Sequence, residues 1–172
     1  MDVFVRKFTG KITGWLAYGY AKTQRTADTL TFPPSHDRRH TLNVVMQAPG
    51  PLRGQLGVRL GFGSPLPYTG IVGQWLHRNY NSELHVFDHF ETESVSREIN
   101  GERFPFYARI DVGLRWRVEK WGGVLRPYVQ VVNVLNRKNV WVYAFDYDQV
   151  PPTRSGLSQL PFLPAVGVEF EF

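Results

Sequence analysis

Ile110, Val112, Leu114, Trp116 and Val118 alternate without a break with Arg109, Asp111, Gly113, Arg115, Arg117 and Glu119. Only a period of two sorts these eleven residues into two sets, because on a helix the apolar set would wind around every side. The segment 109–119 is therefore predicted as a β-strand with one apolar and one charged face. The same period recurs in 55–63, where Leu56, Val58, Leu60 and Phe62 oppose Gln55, Gly57, Arg59, Gly61 and Gly63. It recurs again at the C-terminus, where Val166, Val168, Phe170 and Phe172 oppose Gly167, Glu169 and Glu171.

Three further segments keep the period less strictly. In 41–47, Leu42, Val44 and Met46 oppose Thr41, Asn43 and Gln47, and Val45 breaks the polar face. In 12–21, Ile12, Leu16, Tyr18 and Tyr20 share a face, but Trp15 and Ala17 leave the facing open. Segment 125–145 starts in phase with Leu125, Val129 and Val131 and loses phase around Asn133 to Asn136, as a bulge or a change of environment would make it do. The connections fall into two kinds. "PGPLR" at 49–53 and "EKWGGV" at 119–124 are turn-like, whereas 28–38, 69–104 and 146–162 are long and polar. Walked as an antiparallel up-and-down meander, every short connection falls at one end and every long one at the other. Outer-membrane barrels sort their loops in this way.

Composition narrows the class. The chain has 172 residues and no cysteine, which removes disulfide scaffolds, thiolate metal sites and thiol catalysis. Its apolar runs are too short for a membrane-crossing helix of about 18 residues. A strand that shows only half its residues to lipid escapes that test. The 12 Phe, 8 Tyr and 5 Trp gather near predicted strand ends, at Trp15, Tyr18 and Tyr20, at Tyr68, at Phe104, Phe106 and Tyr107, at Trp116 and Trp121, and at Trp141, Tyr143 and Phe145. Girdles at two interfaces would place them so. A net charge of +5 would suit nucleic acid only if the basic residues clustered, and they are interspersed with acidic ones from Arg6 to Arg154. No nucleic-acid partner is expected.

Six stretches carry a family resemblance: "TGWLAYGYAKTQR", "FPPSHDRRHTLNVV", "GVRLGFGSPLPYT", "RIDVGLRWR", "PYVQVVNVLNRKNVWVY" and "LPFLPAVGVEFEF". In this order they resemble the C-terminal barrel of TonB-dependent outer-membrane receptors, from about residue 10 to Phe172 except for the loop around 72–103. The resemblance implies a transmembrane barrel of about 22 strands with an N-terminal plug. Six or seven strands are expected in this chain. Residues 1–172 would thus be the C-terminal segment of a receptor barrel in a bacterial outer membrane, with no plug domain and with Met1 not the natural start. The full receptor would take up a scarce nutrient such as a metal chelate or an oligosaccharide. Its partners would be outer-membrane lipid, the barrel-assembly machinery and, through the missing N-terminal part, the plug and the TonB complex. Val166, Val168, Phe170 and the terminal Phe172 resemble the signal that the assembly machinery recognises.

Candidate chemistry is sparse, and neither an enzyme nor a cofactor is expected. "HVFDHFE" brings His85, Asp88, His89 and Glu91 together, but in an order that matches no zinc motif. "DRRH" at 37–40 reads as a clamp of paired charges that holds a loop. Arg59, Arg109, Asp111, Arg115, Arg117, Glu169 and Glu171 are the lumen-facing candidates. They would form a ladder of opposite charges, or line the path of an anionic ligand. Two other assignments fit the alternation: a complete small outer-membrane barrel with an adhesion or structural role, and a soluble β-barrel that binds an apolar ligand.

Overall fold

The structure, a computed structural model, describes residues 1–149 and 152–172, with the side chains of 79, 81 and 88–91 outside the described set. It is all-β. The first strands are β1 (Asp2–Lys7), β2 (Thr13–Tyr20), β3 (Arg25–Ala27), β4 (Leu30–Phe32), β5 (His40–Pro49), β6 (Gln55–Gly63), β7 (Pro67–Tyr68) and β8 (Ile71–Asn81). They are followed by β9 (Val86–Ser96), β10 (Glu102–Arg103), β11 (Tyr107–Arg115), β12 (Val118–Lys120), β13 (Gly123–Val132), β14 (Val140–Asp146), β15 (Thr153–Ser158) and β16 (Leu163–Glu171).

The main sheet is an antiparallel meander in which β1, β2, β5, β6, β11, β13 and β16 lie side by side in chain order. β12 prolongs β11. Arg115 pairs with Tyr128 and Val118 with Leu125 in one unbroken register. The ladder is interrupted between them because Pro127 has no N–H to donate, although its carbonyl still accepts from Trp116 N–H at 3.0 Å. The strand expected over 109–119 is thus present in two pieces. The segment expected over 125–145 divides for a different reason: β13 ends at Val132, Asn133 turns with φ 54°, and β14 pairs with β15 outside the main sheet.

Residues 8–12, 50–54 and 121–122 make the connections at one end of the meander. Residues 21–39, 64–106 and 133–162 make those at the other, and they carry the hairpins β3–β4, β8–β9 and β14–β15 and the β7–β10 pair. The register drifts steadily across the sheet. The row through Lys7, at the end of β1, runs through Gly14, Met46, Val58 and Val112 to Val131, eight residues beyond the start of β13. The strands therefore slant relative to the line joining the turns.

Cross-strand rows also settle the two faces. Val5, Leu16, Val44, Leu60 and Ile110 form one apolar row, and Ala48, Leu56, Leu114, Val129 and Val166 form another. The opposite rows hold Asn43, Gly61 and Arg109, then Gln47, Gly57, Gly113 and Gln130. Strand β2 is thereby oriented, with Leu16 and Tyr18 on the apolar face and Trp15 and Ala17 on the polar one. Trp15 pairs with Val45, and the Phe4 ring lies 6.1 Å from the Trp15 ring. The residues that break the polar pattern thus gather in one patch. Among the described residues nothing covers the apolar face: Met46, Val129, Val166, Val168 and Phe170 are all exposed. Prolines aside, Tyr68 is the only buried apolar or aromatic side chain among the described residues.

Candidate functional site

The polar face of the sheet is hollowed. A hollow of about 420 Å³ extends across five adjacent strands and is lined by Gln47, Gln55, Arg115, Tyr128, Gln130 and Glu169. Gly167 makes room for Tyr128 here, because a Cβ on it would lie 2.5 Å from the Tyr128 hydroxyl. The register brings the lumen-facing candidates of β6, β11 and β16 onto this face, and most of them are paired. Arg109 binds Asp111 through Nε and Nη2, both at 2.7 Å. Arg59 stands directly opposite Asp111. Arg115 reaches Glu169 at 3.4 Å, Arg117 reaches Glu119 at 3.4 Å, and Glu171 is held by Arg126. This is a ladder of opposite charges. Arg126 was not among the candidates, although its alternation with Tyr128 and Gln130 places it on the same face.

The buried chemistry lies at the long-loop end and is polar. Asp37 is 1% exposed; its Oδ1 accepts from Thr23 N–H at 2.9 Å, and its Oδ2 lies 3.3 Å from Arg103 and 3.6 Å from Arg39. Burial pushes its carboxyl up, but the Thr23 and Arg103 hydrogen bonds and the two guanidinium charges outweigh this and hold it below the usual range. The expected clamp at 37–40 is thus centred on Asp37 and joins loop 21–39 to β10. Arg38 crosses to the sheet, where the absence of a Cβ on Gly63 leaves space for its guanidinium.

A second cluster joins loop 64–106 to the β14–β15 hairpin. The rings of Tyr68, Phe104 and Tyr143 pack at 4.5–5.2 Å. The Tyr68 hydroxyl donates to Glu102 at 2.5 Å, and Arg154 donates to both Glu102, at 2.8 Å, and Tyr68. The hydrogen bond from Tyr68 and the guanidinium of Arg154 hold the Glu102 carboxyl below its ordinary range against the opposing effect of desolvation. Burial first, and then the bond to Glu102, push the Tyr68 phenol up to about 12. No local sequence signal reveals this cluster, because Arg154 and Glu102 are 52 residues apart.

The third buried group replaces strand pairing. Asn139 accepts from Ala108 N–H at 3.0 Å and donates to Ala108 C=O at 2.9 Å. Asn133 is fully buried; its N–H donates to Asp111 at 2.9 Å, and its side chain donates to Arg137 C=O and Leu160 C=O.

The assembly-signal residues Val166, Val168 and Phe170 alternate outward on the apolar face of β16, and Phe172 lies just beyond the strand. Only some of the expected girdle aromatics lie at the ends of the apolar face. Tyr18 and Tyr20 meet His40, and Phe62 meets Phe106, at the long-loop end of the apolar face. Trp116 and Trp121 lie at the short-turn end. Trp15 faces the polar side instead, and Tyr68, Phe104 and Tyr143 belong to the loop cluster. Asp88, His89 and Glu91 have side chains outside the described residues, and His85 Nδ1 lies 3.2 Å from the Tyr80 hydroxyl. Among the described residues, no group of three or more possible metal ligands comes together. Compared with protein-family models, with curated proteins and with solved structures, the chain matches none.

Proposed function

We propose that this chain is wall, outer loops and C-terminal strand of a transmembrane β-barrel, a segment of a TonB-dependent outer-membrane receptor that takes up a scarce nutrient. The observation that carries the proposal is an apolar sheet face that no layer of the described residues covers, backed by a hollowed polar face most of whose charges are paired. Lipid would cover the first and water would fill the second. Strand length supports this: β5, β6, β11, β13 and β16 have 9 or 10 residues, the length of a tilted membrane-crossing strand. So does the drift in register, since closing a sheet into a barrel requires tilted, staggered strands. Among the described residues no helix is long and apolar enough to cross a membrane, which leaves crossing by strands open.

The family assignment rests on the six ordered stretches that resemble these receptors. In such a receptor the segment would contribute the barrel wall and outer loops, while the plug and TonB complex would couple energy elsewhere. The charge ladder would neutralise the lumen wall, and β16 would present Val166, Val168, Phe170 and Phe172 to the assembly machinery.

Two experiments test the two levels of the proposal. Expression without detergent tests the membrane face, where aggregation or recovery only in membranes is expected and a soluble monodisperse product would overturn it. Genomic sequence upstream of the Met1 codon tests the receptor. More alternating strands and a plug in the same frame are expected; a stop codon followed by a start with its own signal peptide would replace the receptor with a small complete barrel.

A further inference from the structure

The net charge of +5 is concentrated at one end of the fold. The long connections 21–39, 64–106 and 133–162 contain ten basic and ten acidic residues and cancel. The segments 7–12, 50–54 and 120–122 contain Lys7, Lys11, Arg53 and Lys120 and no acidic residue. Glu119, next to the last of these, is occupied by Arg117 at 3.4 Å.

Each of these turns also holds a large apolar side chain out into solvent. Phe8 is 70% exposed, Leu52 86% and Trp121 76%. Leu52 and Trp121 have φ of 53° and 56°, a left-handed conformation that disfavours bulky residues. Trp121 and Gly122 form a two-residue hairpin turn with both φ positive, where asparagine or glycine would close the turn with less strain. Neither side chain is buried against the sheet: Leu52 projects from its turn, and the Trp121 ring, though it meets Lys120 Nζ at 4.6 Å, stays largely exposed. Both are suited to contacts outside the chain.

We propose that this rim of short turns docks on the anionic phospholipid headgroups on its side of the bilayer. Phe8, Leu52 and Trp121 enter the interface at headgroup level, and Lys7, Lys11, Arg53 and Lys120 pair with the lipid phosphates. Charge complementarity selects this occupant, since the three turns carry four cations and no carboxylate, and the carboxylates nearest to them, Glu119 and Glu171, are held by Arg117 and Arg126. The inference rests on the membrane-barrel proposal above and adds to it which end carries the lipid preference.

The test is flotation of the full chain with vesicles of phosphatidylcholine alone, or of phosphatidylcholine mixed with phosphatidylglycerol. The chain is expected to bind both, with an excess for the anionic vesicles that shrinks at high ionic strength. Each basic residue at an anionic surface contributes about a fivefold gain in partition. The triple variant Lys11→Gln, Arg53→Gln, Lys120→Gln should therefore lose the excess by about 100-fold while keeping its binding to neutral vesicles. The matched variant Lys22→Gln, Arg25→Gln, Lys138→Gln at the loop end should keep it. The pair Leu52→Asn, Trp121→Asn relieves both left-handed positions yet should weaken binding to anionic vesicles. Equal binding to both vesicle types, equal loss in the two triple variants, or unchanged binding in the asparagine pair would each overturn the rim proposal and leave the barrel standing. Binding to neither vesicle, by a protein that is monodisperse without detergent, would overturn the barrel itself.

Discussion

The Asn139 carboxamide presents a donor and an acceptor to the Ala108 peptide with the spacing of a neighbouring strand, at the point where β13 has left the sheet. Without it, two backbone groups lose their partners, at about 1–3 kcal/mol for each that water does not reach. Asn139→Ala is expected to lower stability by about 2 kcal/mol, read as an earlier urea midpoint of tryptophan fluorescence in detergent micelles. The acid response should come from the loop clusters. Glu102 and Asp37 have lowered carboxyl pKa values in the folded chain, so their stabilisation is present above the unfolded carboxylate range and is lost as pH falls through the folded values. Loop 64–106 should become protease-sensitive on acidification, and Glu102→Gln should show that sensitivity already at neutral pH. Tyr68 has the opposite sign. With its phenol pushed up to about 12, its contribution is complete below the ordinary tyrosine range near 10 and is lost as pH rises through 12. An ultraviolet titration should find one tyrosine ionising well after the exposed ones. Little of this was legible in the sequence. Asn133 and Asn136 show there only as a loss of phase, because Asp111, which accepts from Asn133 N–H, and Ala108, which Asn139 binds, lie on β11, more than twenty residues upstream.

At the scale of the element, legibility followed the number of distinct environments a strand meets. β11 with β12, β6 and β16 each have one apolar and one polar side, and their alternation was plain. β8 places Trp75 and His77 on one side and Leu76 and Arg78 on the other. Its hairpin with β9 stands outside the main sheet, so no face is selected and the segment read as a loop. β1 was missed because six residues, all exposed and charged at both ends, carry too short a pattern. The oriented faces give a paired test in β11. Leu114 and Gly113 are neighbours on opposite faces, and a Cβ on Gly113 would meet only ordinary contacts at 3.6 Å and beyond. Leu114→Arg places a charge on the proposed lipid face, at about 2–4 kcal/mol near the midplane, whereas Gly113→Arg adds one to the proposed lumen. Recovery of folded chain from lipid vesicles should fall sharply for the first and modestly for the second. Equal recovery would count against the assigned faces, and the reverse order would mean that they have been assigned to the wrong media.

A folded monomer of 19.8 kDa ordinarily exposes about 8,600 Å², and this chain exposes 12756 Å². The uncovered apolar face, the hairpins outside the main sheet and the outer edges of β1 and β16, which pair with β2 and β13 alone, all contribute to the excess. In the proposed barrel, the number of strands in the wall decides whether those edges can meet. An up-and-down meander of seven strands leaves the first and last running in the same direction, so closing β1 against β16 would create a parallel seam. Bacterial single-chain barrels have an even number of strands and antiparallel seams throughout. A ring of identical copies inserted the same way up would meet the same obstacle at every junction. Strand parity therefore favours additional strands between these edges over closure by this chain alone. The cysteine-free sequence makes this directly testable. Val5→Cys combined in turn with Val166→Cys, Val168→Cys or Phe170→Cys should form no bridge within one chain after vesicle insertion, because a disulfide requires Cα atoms within about 7 Å. Val58→Cys with Val112→Cys, whose positions are directly opposite in the sheet, is the positive control. A bridge between β1 and β16 within a single inserted chain would show that seven strands close, and would assign this chain to a small barrel instead of the wall of a large one.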